Sequence, residues 1–234
     1  MEKNINELVK ELIDGKVFNP NQKREIKQGL INKLTKEEIS IFADPKFNSS
    51  QMRQIRLGLQ NGLSIDQVSL YIDPKFDDWQ MRQIRYGLKN GLSKEQVGIY
   101  ANEKYDSEQM HEIREGLESG VDVSVYADLK FDDIQMFHIR QGLQDGVDVN
   151  LYADKKYNWE QMAEIRFSLG EGLDISLYVD ERFNSWQMAE IRKGLEDGLT
   201  NEQIKIYADP KIDWRRMFQI RKKLIKEEIF KNML

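Results

Sequence analysis

One pattern recurs along this chain at intervals of 29 or 26 residues, and any fold must satisfy every copy of it at once. Counted from an aromatic residue as position zero, the pattern opens with Asp or Asn, two variable residues and Gln-Met. Two more residues lead to Ile-Arg, one variable residue and Gly-Leu, then two more and Gly-Leu or Gly-Val. A short segment ending in Tyr-Ala-Asp-Pro-Lys or a variant closes the repeat. Copies begin at Phe47, Phe76, Tyr105, Phe131, Tyr157 and Phe183, with degraded copies at Phe18 and Ile212. A period of this size is the signature of small supersecondary units that bury their apolar faces by stacking on one another.

Local chemistry says what each unit is. Asp or Asn at position 1 stands three residues before Gln at position 4, as in Asn48 with Gln51 or Asp77 with Gln80. That spacing is a capping box at a helix start, and the flanking aromatic and Met form its hydrophobic staple. Gly62, Gly91, Gly120, Gly146, Gly172 and Gly198 at position 15 suit the left-handed residue that ends a helix. A helix of about 13 residues therefore opens each repeat. In the 29-residue form a second capping box follows: Thr35 with Glu38, Ser64 with Gln67, Ser93 with Gln96 and Thr200 with Gln203. This predicts a second helix of about two turns, ending near Tyr71, Tyr100 or Tyr207. The 26-residue form lacks three residues here, so its second helix shrinks to about one turn, of 3₁₀ type.

The expected fold is all-α, an α-solenoid of about eight helical-hairpin repeats with a capping helix at each end. Residues 1–17 are read as an N-terminal capping helix, 18–211 as the hairpin repeats and 212–234 as a C-terminal capping helix, in one continuous solenoid domain. The N-terminal helix is expected over residues 4–14, and the last helix from Trp214 to near Leu234.

A helical wheel separates two faces. The near-constant positions 4, 5, 8, 9, 11 and 12 fall inside an arc of about 160°, and the variable positions 2, 3, 6, 10, 13 and 14 fill an opposite arc of about 120°. The constant arc is expected to be core, with Ile at position 8 at its centre. Glycine at position 11, unfavourable inside a helix by about 1 kcal/mol, suggests a close helix–helix approach. Arginine at position 9 (Arg56, Arg85, Arg114, Arg140, Arg166 and Arg192) recurs in step with Asp44, Asp73, Asp128, Asp154 and Asp180 of the short segments. An Arg–Asp ladder joining hairpins is therefore expected.

The variable arc carries what is specific to this chain. Large aromatics stand where solubility alone would favour Lys or Glu, as an interface rich in aromatic and Arg anchors requires. The candidate partner-binding residues are Trp79, Arg82, Tyr86, His111, Glu115, Phe137, Gln141, Phe167, Trp186 and Lys193. Phe218 is a further apolar anchor on this arc.

Composition removes most catalytic chemistry. There is no cysteine and there are two histidines, His111 and His138, 27 residues apart, so thiol nucleophiles, thiolate metal sites and most Ser-His catalysis are excluded. No catalytic residue, cofactor site or metal site is identified, and the chain is read as a non-enzyme. No membrane-length apolar run and no signal-peptide pattern occurs, so a cytoplasmic location is expected. Charge is uneven: residues 1–104 carry net +3, residues 105–200 net −12 and residues 201–234 net +4. The acidic middle could steer a partner with a basic patch, or act as a solubilising face.

The stretch 71–92, from Tyr71-Ile-Asp-Pro-Lys-Phe through Gln80-Met-Arg-Gln-Ile-Arg to Gly91-Leu, resembles a helical repeat of uncharacterised proteins of Gram-positive gut bacteria and their mobile elements. The resemblance covers nearly the whole chain. It implies no activity, only a cytoplasmic bacterial, plasmid or phage setting. The leading expectation is a non-enzymatic protein-binding scaffold. The alternatives are an inhibitor of a nucleic-acid enzyme that uses the acidic middle repeats as a decoy, and a repeat-type nucleic-acid binder, which those acidic repeats argue against.

Overall fold

The computed structural model describes residues 4–232, with side chains through residue 229. Residues 1–3 of the expected N-terminal segment, and the expected helix end near Leu234, lie outside the described residues. The described chain is all-helical, and within each of its two compact units helices that neighbour one another in sequence pack side by side. None of the described helices is long and apolar enough to cross a membrane.

The chain divides into two compact units, Met1–Gly120 and Val121–Leu234. The first contains α1 (Ile5–Leu12), α2 (Pro20–Ile31), α3 (Lys36–Phe42), α4 (Ser49–Gln60), α5 (Ile65–Val68), α6 (Asp78–Lys89), α7 (Lys94–Tyr100) and α8 (Ser107–Ser119). Within it the long helices stack in the order α2, α4, α6, α8, with α1 against α2. The second contains α9 (Asp133–Asp145), α10 (Trp159–Gly170), α11 (Ser185–Glu196), α12 (Asn201–Lys205) and α13 (Trp214–Asn232), the long ones again stacked in sequence order.

The capping boxes form as their spacing requires. Asn19, Asn48, Asp77 and Asp106 cap α2, α4, α6 and α8, and Asp132, Asn158 and Asn184 cap α9, α10 and α11, each paired with Gln three residues on. At the other end Gly120 and Gly146 take φ of 76° and 73°, the left-handed conformation that a side chain disfavours. In the first repeat Lys33 fills that place at φ 64°. The second helices are shorter than expected in part. α3 and α7 run seven residues, but α5 has four and α12 five. In the 26-residue repeats Val123–Val125 and Val149–Leu151 are 3₁₀ turns, and the segment ending at Tyr178 forms a turn without a helix.

The constant arc is core. In the first unit Met52, Ile55, Tyr71, Met81, Ile84 and Tyr100 are fully buried; in the second Ile139, Tyr152, Ile165, Tyr178, Ile191 and Tyr207 are. Burying each such side chain contributes roughly 1.5–3 kcal/mol. The position-11 glycines do not serve a helix–helix approach. The tyrosine that closes the same repeat drives its hydroxyl over them: Tyr71 over Gly58, Tyr100 over Gly87, Tyr152 over Gly142 and Tyr207 over Gly194. Tyr152 Oη donates to the His138 carbonyl at 3.1 Å, and Tyr100 and Tyr207 reach the matching carbonyls of Gln83 and Glu190.

The Arg–Asp ladder is corrected. Each aspartate is consumed by its own turn, where Asp44 Oδ1 accepts the Lys46 N–H at 3.0 Å, and Asp73, Asp128, Asp154, Asp180 and Asp209 do the same two residues on. The arginines instead reach across to position 7 of the preceding long helix. Arg56 Nε and Nη2 donate to Glu25 Oε2 at 3.0 and 2.8 Å, Arg192 Nε to Glu164 at 2.8 Å and Arg221 Nε to Glu190 at 2.9 Å. Arg166 pairs with an aspartate, but with Asp145 at the end of α9, at 2.8 Å.

Glutamine at position 4 has a second task. Its side-chain oxygen completes the capping box, and its Nε2 donates to main-chain carbonyls of the next turn. Gln51 bonds Pro74 O at 3.1 Å and Phe76 O at 2.7 Å; Gln187 bonds Pro210 O at 2.9 Å and Ile212 O at 2.7 Å. Glutamate fits the first role but lacks the donors for the second.

Candidate partner-binding faces

The outer arc of the long helices is fixed from below by the stacking just described. Residues on it stand over the grooves between consecutive long helices. Ten candidate residues were read from the sequence, and none of them is buried.

In the first unit a ridge on α6 separates two open grooves. Trp79, 56% exposed, and the half-exposed Arg82 and Tyr86 form the ridge. The Arg82 guanidinium carbon lies 5.3 Å from the Trp79 ring centre and 5.1 Å from that of Tyr86, and Arg82 Nε donates to Tyr86 Oη at 3.1 Å. That hydrogen bond holds the Tyr86 hydroxyl below its ordinary pKa. Toward α8 the ridge faces a groove of about 420 Å³, whose far wall is Ser107, Glu108, His111 and Arg114. Here Arg114 is satisfied at close range: Nη1 bonds Glu118 and Nη2 bonds Glu115, both at 2.7 Å, and His111 Nδ1 stands 2.9 Å from Nη2. Of the candidates on α8, Glu115 is thus held inside an ion cluster. Toward α4 lies a second groove of about 390 Å³, lined by Arg53, Gln54, Leu57, Asp78 and Arg85 besides the ridge.

In the second unit the aromatics are more widely spread. Phe137 on α9 lies edge-on to His138 at 5.2 Å, and His138 stacks on Trp159 of α10 at 6.1 Å with ring planes 3° apart. The imidazole is buried, and burial pushes its pKa down to about 4, with the nearby Arg166 acting in the same direction. Gln141 on α9 is half-exposed and hydrogen-bonds Gln144 at 2.9 Å. Phe167 lies under the Arg166 guanidinium, 4.5 Å from ring centre to carbon. Trp186, 63% exposed, stacks on Trp214 of α13 at 5.5 Å. Between α10 and α11 runs a groove of about 300 Å³ with Trp159 and Trp186 as walls and Ala163 and Ala189 in its lining. The alanines leave the room that a larger residue at position 6 would fill. Lys193 and Arg192 line the same groove, Lys193 lying 3.3 Å from Glu190.

The two faces of the wheel are therefore not independent. The constant arginines lie against the variable aromatics: Arg85 on Tyr86 at 4.6 Å, Arg140 on Phe137 and Arg221 on Phe218 both at 5.5 Å. Sequence reasoning passed over Trp159 and Trp214, which stand at position 2, one place before the stripe it followed. It also set Arg85 aside as purely structural.

Among the described residues no group of three or more His, Asp or Glu is placed to hold a metal ion. No protein-family model matches the chain, and neither the curated proteins nor the solved structures contain a match to it.

Proposed function

We propose that this chain is a non-enzymatic scaffold that binds a protein partner through the outer faces of its long helices. The observation that supports it most is the pairing of exposed tryptophans with open grooves crossed by arginines, Trp79 with Arg82 on α6 and Trp186 with Arg192 on α11. Trp, Tyr and Arg are the residue types that dominate binding energy at protein interfaces. They project from a face that stacking leaves unused, and rigid helices hold them in place, which limits the ordering cost of binding. The acidic stretch 105–200, net −12, would steer a partner bearing a basic patch toward the repeats that contain it. The cytoplasmic, bacterial or mobile-element setting is part of the same proposal and rests on the repeat's resemblance. A nucleic-acid target is disfavoured, because Glu108, Glu115 and Glu118 stand on α8, the next long helix after the arginines of α6.

Affinity capture from the source cell tests the reading. The wild-type chain and the variants W79A/Y86A and F167A/W186A serve as bait after thermal melts have shown that they fold alike. The expected result is a protein recovered by the wild type and lost from at least one variant. Equal recovery by all three baits refutes the reading, as does capture of nucleic acid in its place.

A further inference from the structure

Position 7 of the long helix decides how each position-9 arginine is neutralised. Where it is Glu, as at Glu25, Glu164 and Glu190, the arginine of the next repeat gains a carboxylate. Gln54 and Gln83 break that rule in two consecutive repeats. Arg114, facing Gln83, recovers charge balance from Glu115 and Glu118. Arg85, facing Gln54, does not. It is 5% exposed, its Nε donates to the Gln54 amide oxygen at 3.1 Å, and its guanidinium lies on the Tyr86 ring. No ion pair joins it to a carboxylate among the described residues. A buried guanidinium without a counter-charge is costly, so this position favours an anion.

The surroundings strengthen that preference. Arg53 and Arg82 line the same groove between α4 and α6, and neither is ion-paired with a carboxylate among the described residues. Asp78, half-buried, is the opposing charge on its wall. Trp79, Tyr86 and Leu57 add apolar surface around the three guanidinium groups. The lowered pKa of Tyr86, caused first by its bond from Arg82, registers the same positive field. The cationic zone is short, because Glu108, Glu115 and Glu118 follow on α8. A phosphate backbone of uniform charge would run into those acids; a short peptide with one or two carboxylates would not.

We propose that the α4–α6 groove is the recognition subsite for an acidic segment of the protein partner, which would place an Asp or Glu carboxylate against Arg85, Arg53 and Arg82 and an apolar neighbour against Trp79. This rests on the scaffold reading and names the partner's chemistry at one groove. The partner's carboxylate would supply the charge that Glu supplies from within the chain in other repeats, and planar guanidinium groups suit bidentate carboxylate binding.

The full chain would be titrated into a fluorescein-labelled peptide alternating glutamate and phenylalanine, with the glutamine analogue and a single-stranded oligothymidylate as comparison probes, by fluorescence anisotropy. The acidic peptide should bind about tenfold or more tightly than its amide analogue, and should weaken with salt. Gln54→Glu restores the internal carboxylate. It should raise the melting temperature and weaken the acidic peptide about tenfold, while R53Q/R82Q should weaken it as much with an unchanged melt. Equal binding of the two peptides, retention of wild-type affinity in Q54E and R53Q/R82Q, or tighter binding of the oligothymidylate would each overturn the proposal. If the peptide fails while F167A/W186A still loses the captured protein, the acidic subsite is wrong and the scaffold stands. If every bait recovers the same proteins, the scaffold reading itself is wrong.

Discussion

Adding one methyl group at Gly142 tests why the long helices carry glycine at their centre. A Cβ at that place would stand 2.9 Å from Val149 Cγ1 and 3.1 Å from Tyr152 Cζ, and well inside the contact radius of Tyr152 Oη. Tyr152 is fully buried and donates to the His138 carbonyl at 3.1 Å, so it has no open space to move into. Gly142→Ala gains about 1 kcal/mol of helix propensity. It costs about 1–3 kcal/mol of overpacking, and about 1–3 kcal/mol more if the displaced hydroxyl loses its acceptor. The net expectation is a loss of about 2 kcal/mol. Tyr152→Phe alone loses one hydrogen bond, about 1 kcal/mol. Together the two changes remove the hydroxyl clash and keep the helix gain, leaving the approaches to Val149 Cγ1 and the ring Cζ to be relieved by small shifts, so the double variant should lie within about 1 kcal/mol of wild type. The first repeat shows a related arrangement: Phe42 has no hydroxyl, and a Cβ on Gly29 would meet its Cζ at 3.1 Å, which a small shift relieves. Urea unfolding of the four proteins, followed by circular dichroism, measures the cycle. Additivity to within about 0.5 kcal/mol would refute the tyrosine-hydroxyl explanation.

Three further outcomes follow from the same structure. His138 keeps its neutral form in the fold, with a pKa of about 4 against an unfolded value near 6.5, so its contribution is complete above about pH 6.5 and is lost as pH falls toward 4. Between pH 7.5 and pH 5 the wild type should therefore lose about 2 kcal/mol more stability than His138→Gln, and equal losses in parallel melts would contradict the buried imidazole. Gln80→Glu keeps the capping oxygen but removes the donors to Glu103 O and Tyr105 O, so unfolding should become easier by about 1–3 kcal/mol, whereas an unchanged melt would show the amide to be dispensable. Ile84→Ala, at a fully buried site, should cost about 2–5 kcal/mol, while Tyr86→Ala or Phe137→Ala should change stability by less than about 1 kcal/mol and weaken partner binding by about 1–2 kcal/mol; the opposite order would make the aromatics core residues.

What was legible in the sequence was local. A capping box spans four residues, and Asp77 with Gln80 states its own geometry whatever surrounds it. The 3.6-residue period placed Ile84 and Met81 in the core for the same reason. The Arg–Asp ladder failed because of how repeats work: every position recurs in step with every other, so recurrence at matching intervals does not single out a pair. The informative signal was where the pattern breaks. Position 7 alternates among Glu, Gln and His, and it is this residue that the next repeat's arginine meets. The second role of Gln51 was equally hidden, because its acceptors at Pro74 and Phe76 lie 23 and 25 residues away. At the candidate faces Trp79 and Trp186 stood out as bulky groups on the variable arc. Trp159 was missed because its stacking on His138 is a contact between two helices. The shortening of α5 and α12 depends on how each segment packs after its cap, which the capping signal does not report.

The glutamine contacts bear on how such a chain can change over generations. Gln22 reaches Phe47 O, Gln51 reaches Phe76 O and Gln161 reaches Phe183 O, over 25, 25 and 22 residues. In each case the acceptor is main chain, which every residue type carries. The same joint closes across a 29-residue repeat and a 26-residue repeat alike. A copy of one repeat can therefore follow any other without a matched partner side chain having to arise beside it. Duplication or loss of a whole unit leaves the joint intact, and the outer aromatics are free to diverge from one copy to the next.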